Sequence, residues 1–130
     1  MTAPASDEIR DGAHQPILVV DDDIDILEGL SEFLKLSGFD VMTAHDGREA
    51  LTRARSTRPC VVVLDLMMPV MSGQEFRREQ SADPMIANIP VIIVTAARPT
   101  QNELDKLGVS DCLLKPLDLE RFLRLVRRHC

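Results

Sequence analysis

Five short apolar runs, separated by stretches of helical spacing, constrain this chain more than any other feature. The runs are ILVV (17–20), DVMTA (40–44), CVVVLDL (60–66), PVIIVTA (90–96) and DCLLK (111–115). Three of them are nearly continuous Val, Ile and Leu, as strands buried on both faces of a parallel sheet require. Between the runs, Leu27, Leu30 and Leu34 recur at helical spacing with Phe33 alongside. Leu119, Phe122, Leu123 and Val126 repeat the pattern near the C-terminus. DGREALTRA (46–54) and SGQEFRREQ (72–80) read as helices entered through Gly-containing turns, and Gly38 and Gly108 stand where two helices stop. Strand and helix thus alternate five times. That order predicts a doubly wound α/β fold: an open parallel sheet with helices on both faces, joined by right-handed crossovers.

A chain of 130 residues suffices for one domain with a real core. Residues 1–15 are Ala/Pro/Asp-rich without periodicity and are expected to form a disordered tail, leaving 16–130 as the domain. The net charge of −6 and the absence of Trp and Tyr argue against a nucleic-acid binder and fit a protein that meets cations or basic partners. The N-terminus lacks the apolar core of a signal peptide, and no run approaches membrane-spanning length, so a soluble cytoplasmic protein is expected. Cys60, Cys112 and Cys130 are few and odd in number, so reduced thiols are expected rather than a disulfide, with Cys60 and Cys112 as small core residues. His14, His45 and His129 read as surface residues, none placed with cysteines at zinc-like spacing.

In open α/β sheets, function collects in the crevice beyond the strands' C-terminal ends. Those ends here carry Asp21 and Asp22, Asp65, Thr95 and Lys115. With strand order 2-1-3-4-5, they come from four adjacent strands and converge on one pocket. Two like charges about 4 Å apart cost roughly 4 kcal/mol at an effective dielectric of about 20. Three carboxylates therefore call for a cation, and an oxygen-only donor set favours Mg²⁺. Asp23 and Asp25 belong to the start of the first helix, where negative charge suits the dipole. Neither G-x-G-x-x-G nor G-x-x-x-x-G-K-[ST] occurs, so the common glycine-rich phosphate loops are absent.

VVDDD, LDLMMPVMSG, IPVIIVTA and LLKP follow one another in order. From Pro16 to about His129, the chain resembles the receiver domain of two-component response regulators, a flavodoxin-like, CheY-like fold of five parallel strands in order 2-1-3-4-5 with five helices. The resemblance implies that Asp65 is the phosphoacceptor, taking a phosphoryl group from a histidine kinase or a histidine phosphotransfer protein. It implies that Asp22 ligates Mg²⁺ directly, Asp21 directly or through water, with Asp65 and the Met67 backbone carbonyl completing the set. Thr95 and the Ala96 backbone would meet the phosphoryl group, and Lys115 would pair with it, held by a cis bond to Pro116. A stand-alone receiver, monomeric or weakly dimeric, without enzymatic output and switching the binding of a protein target, is the expectation.

The chain departs from the family pattern at several places. Cys112 stands where an aromatic switch residue is usual, and an inert buried thiol is the expected reading there. The segment between Thr95 and Lys115 is about two residues short, so ARPTQNELDKLGVS is expected to form a short fourth helix after Pro99, altering the usual dimer face. Met67 and Ala97 occupy positions that tune hydrolysis, and neither side chain orients a water, so a long-lived phosphoryl state is expected. Arg121, Arg124, Arg127 and Arg128 are expected on a solvated helix face. Two rival readings are a phosphorylation-independent adaptor and a Mg²⁺-dependent phosphohydrolase of the haloacid dehalogenase type, though the latter's second aspartate would fall on Met67.

Overall fold

The structure is a computed structural model that describes residues 15–130. The tail expected over 1–15, and with it His14, lies outside the described residues except for Gln15. Strand β1 (Ile17–Val20) is followed by α1 (Ile24–Leu36), β2 (Val41–Ala44), α2 (Gly47–Thr57), β3 (Val61–Leu64) and α3 (Gly73–Ala82). Then come β4 (Val91–Thr95), α4 (Gln101–Leu107), β5 (Asp111–Leu114) and α5 (Leu119–Arg127). The strands form one parallel sheet in the order β2-β1-β3-β4-β5.

The Val/Ile/Leu runs of β1, β3 and β4 are buried at every position, because helices cover both faces of the sheet. Alternate side chains point to opposite faces and feed two cores. Ile17, Val19, Val61, Val63, Ile92 and Val94 pack beneath α1 and α5. Leu18, Val20, Val62, Leu64 and Ile93 pack on the other side, against α2 residues Ala50, Leu51 and Ala54 and Phe76 of α3. In α1 the buried stripe includes Leu27, Leu30 and Leu34. In α5 it is Phe122, Leu125 and Val126. Leu119, expected in that stripe, is instead the first residue of the helix and is exposed.

Local chemistry starts and stops the helices. Asp23 caps α1, its carboxylate accepting from the amides of Asp25 and Ile26. Ser72 and Thr100 open α3 and α4 with capping boxes, paired with Glu75 and Glu103. Helix α4 is seven residues long, begins after Pro99 as expected, and buries no residue fully. It ends at Gly108, whose φ of +64° is ordinary only for glycine. Arg77 ties that end to α3 by donating from a guanidinium nitrogen to the Gly108 carbonyl at 3.2 Å.

The expectation of reduced thiols is overturned for two of the three cysteines. Cys60 and Cys130 are joined by a disulfide across 70 residues, with Cα atoms 5.6 Å apart. Spacing along the chain gave no sign of it. Folding brings the residue before β3 against the last residue after α5, and both pack on the same core. Cys60 is buried as expected, whereas Cys112 remains a free thiol and is only half-buried. His45 is exposed, and His129 is partly covered rather than on the open surface. Among the described residues no helix is long and apolar enough to cross a membrane.

Candidate functional site

The sheet's hydrogen bonding runs one residue past three strands. Asp21 donates its amide to the Ala44 carbonyl at 3.2 Å, Asp65 to that of Val20 at 3.1 Å, and Lys115 to that of Thr95 at 3.0 Å. Each functional backbone is therefore fixed by the sheet while its side chain stands at the mouth of the crevice. A second device repeats at three strand ends. Oδ1 of Asp21 accepts from the Asp23 amide at 2.9 Å, and Oδ1 of Asp65 from the Met67 amide at 3.1 Å. Oγ1 of Thr95 accepts from the Ala97 amide at 3.3 Å. Short polar side chains that bond the backbone two residues on form turns of this kind. They orient each group before any ligand arrives.

Asp21 and Asp65 are 3% and 5% exposed, and Thr95 is fully buried. Lys115 Nζ reaches both carboxylates, donating to Oδ2 of Asp21 at 2.8 Å and to Oδ2 of Asp65 at 3.2 Å. Burial pushes the Asp21 carboxyl above the usual range, and the hydrogen bonds from Lys115 and the Asp23 amide only partly offset it. Burial also acts against the Lys115 ammonium. The hydrogen bond to Asp21 and the charges of Asp65 and Asp21 outweigh it, so the lysine is held above its ordinary value. Asp22 is exposed, yet its carboxylate belongs to the same cluster: one oxygen from each of Asp21, Asp22 and Asp65 lies within 4.8 Å of the others. Three hard oxygen donors at that spacing, with one side open, suit a small divalent cation that keeps part of its water shell.

The structure thus brings together Asp21, Asp22, Asp65 and Lys115, with Thr95 buried at the end of the neighbouring strand β4. Ala96 is exposed beside it, and the Lys115–Pro116 bond is cis. The Met67 amide is engaged by Asp65, and the Met67 side chain points outward at 64% exposure. Cys112 sits on β5, half-buried, its thiol pushed up by burial. Arg121, Arg124, Arg127 and Arg128 are all exposed.

Two supporting residues were not singled out from sequence. Gly73 opens α3 directly against the backbone that carries Asp65. A Cβ there would lie 2.7 Å from both the Asp65 carbonyl oxygen and Leu66 Cα. Its position eight residues after Asp65, at a helix start, was the available signal. Val70, on the loop between them, has φ of +67°, a conformation costly for a β-branched residue. Nothing in a Val at this position announces that.

Fold and site together define a doubly wound α/β protein with an acidic cluster, suited to a cation, at the carboxyl ends of its strands. Comparison with known proteins makes the class specific. The profile of the response regulator receiver domain matches residues 17–127. Transcriptional regulatory protein PrrA of Mycobacterium leprae is 41% identical over 113 residues, which is 85% of this chain and 48% of that protein. Chemotaxis protein CheY4 of Vibrio cholerae is similar in structure, with a TM-score of 0.83 and 33% identity over 91% of this chain and 100% of that one. Response regulator TrrA of Thermotoga maritima, solved in complex with Mg²⁺-BeF, gives a TM-score of 0.79 and 29% identity over 89% and 99% of the two chains. The chain belongs to the response regulator receiver domain family. It spans about half the length of the curated relatives it matches.

Proposed function

We propose that Asp65 accepts a phosphoryl group from a phosphohistidine on a histidine kinase or phosphotransfer protein. The observation that carries this reading is the Asp65 carboxylate, nearly buried at the end of a central strand, with an ammonium 3.2 Å from one oxygen and two more aspartates beside it. An Asp65 oxygen attacks phosphorus, the P–N bond to the donor imidazole breaks, and a P–O bond to the carboxylate forms. Lys115 meets the charge spreading over the phosphoryl oxygens, and the Thr95 hydroxyl and Ala96 amide supply hydrogen bonds to them. Such transfer asks the protein for positioning and charge neutralisation above all. Asp21, Asp22 and Asp65, with the Met67 carbonyl, would hold Mg²⁺, which supplies further neutralisation of the phosphoryl oxygens when bound.

The phosphorylated domain would then change its contacts with a protein target, in the cytoplasm. The exposed side chain of Met67 and the small one of Ala97 offer no group to orient a hydrolytic water, which supports a long-lived phosphoryl state. Met67→Asn is expected to release phosphate faster than the parent. Incubation with Mg²⁺ and acetyl phosphate followed by intact mass tests the main reading. One phosphoryl group should be added and should vanish in Asp65→Asn. No addition, or addition that survives the substitution, would leave the phosphorylation-independent adaptor as the better account.

A further inference from the structure

A second chemical centre lies at the opposite end of β3. Cys60 immediately precedes the strand and is buried, and its sulfur is bonded to that of Cys130 beyond the end of α5. Both cysteines pack with Val61, Val63, Phe122, Leu125 and Val126, so the bond closes over core side chains rather than reaching into solvent. The amides of His129 and Cys130 both donate to the Val126 carbonyl, at 3.0 and 3.1 Å, and turn the chain inward toward Cys60. Arg127, Arg128 and His129 directly precede Cys130. The thiolate is the form that exchanges with disulfides.

We propose that Cys60 and Cys130 form a reversible redox clasp. Oxidised, it fixes the last turn of α5, with its exposed arginines, on the N-terminal edge of β3; reduced, it lets that turn go. Cys130, the less buried of the two, gives its proton to water. Its thiolate attacks a sulfur of a small-molecule disulfide such as oxidised glutathione, expelling one glutathione thiolate that takes up a proton from water. Cys60 gives its proton to water, and its thiolate attacks the Cys130 sulfur of the mixed disulfide, expelling the second. Two protein thiols are oxidised and one glutathione disulfide is reduced to two thiols; excess reduced glutathione reverses both steps. Five residues of extended strand put the clasp roughly 16 Å from Asp65, so it does not depend on phosphoryl chemistry.

The test equilibrates the full chain in glutathione buffers from fully reduced to fully oxidised, then quenches, denatures, alkylates and maps the thiols by mass. Two thiols should disappear together and map to Cys60 and Cys130, with Cys112 alkylated throughout. The oxidised form should melt ~10 °C above the reduced one, as expected for closing so long a loop. Amides of residues 126–130 should exchange about tenfold faster after reduction, the mark of a locally opened turn. Cys60→Ser and Cys130→Ser should each match the reduced parent in either buffer, and the reduced parent itself serves where a variant fails to fold. Pairing through Cys112, no disulfide even in fully oxidised buffer, or a disulfide that leaves exchange at 126–130 unchanged would each overturn the proposal.

Discussion

The two residues that flank β3, Cys60 and Asp65, stand at ends of the sheet with opposite chemistry. Before the strand, Pro59 and Cys60 are buried and a covalent bond seals the edge. After it, Asp65 joins two aspartates and a lysine at an open crevice. At the sealed end order comes from apolar packing. At the open end it comes from sheet hydrogen bonds that overshoot the strands and from side chains tied to the amide two residues on. Those devices engage Oδ1 of Asp21 and of Asp65 with backbone, while Oδ2 of each accepts from the Lys115 ammonium. A group can be held firmly and still have an oxygen available for reaction.

That contrast breaks most visibly at Lys115. Lys115→Ala should cut labelling by acetyl phosphate at least 100-fold, since the charge facing the phosphoryl oxygens is gone. Without Mg²⁺ it should also cost about 1–2 kcal/mol in urea unfolding, because Asp21 and Asp65 then face each other with no cation; partial solvent access keeps the loss below that of a fully buried pair. Added Mg²⁺ should restore most of it. Cys60→Ser, at the sealed end, should leave the labelling rate within twofold of the parent. Equal loss of labelling in the two variants would erase the distinction between the ends.

Gly73→Ala probes how the open end is braced. Its Cβ would press on the Asp65 carbonyl and Leu66 Cα, so α3 must move away, at a cost of about 1–3 kcal/mol and with slower labelling. Denaturant melts and labelling rates check both. On the intervening loop, Val70→Asn should instead stabilise by about 1 kcal/mol. Val70 is 74% exposed and gives up little packing, and Asn tolerates its positive φ far better.

The smallest expected effect concerns Glu49, near the end of β2. The amide of His45 holds this carboxyl below the ordinary glutamate range; burial opposes that, and the His45 ring and Arg53 add to it. A carboxyl depressed on folding contributes stability that is present above its unfolded value and is lost as pH falls through its folded one. In an NMR titration, His45→Ala should leave most of the depression in place, because the largest contribution comes from backbone. Asp21, raised by burial, should titrate above the ordinary aspartate range in the same experiment without Mg²⁺.

The open end was legible because its residues announce themselves locally. Asp21, Asp65 and Lys115 each directly follow an apolar run, Thr95 closes one, and the parallel topology places those ends side by side. The sealed end was not legible. Cys60 and Cys130 are 70 residues apart, and three cysteines in a chain of this composition argued for free thiols until the fold brought two of them together. Leu119 misled for a related reason. It has the spacing of a core residue, but it is the first residue of its helix and stays exposed, while Leu125, outside the expected stripe, is buried. Periodicity reports which face of a helix is apolar, not how far along the helix the sheet extends.

Helix α4 carries a consequence for how such a domain passes on a signal. It buries no residue fully and is far shorter than an isolated helix needs to be in water, so its order rests on Thr100, Glu103, Gly108 and the half-buried Leu104 and Leu107. Opening it therefore costs less free energy than opening β4, which is buried at every position. A new hydrogen bond to a charged group at the crevice, worth about 1.5–3 kcal/mol, is large beside what so short a helix gains from its own packing. The segment least anchored to the core can respond without asking the core to move.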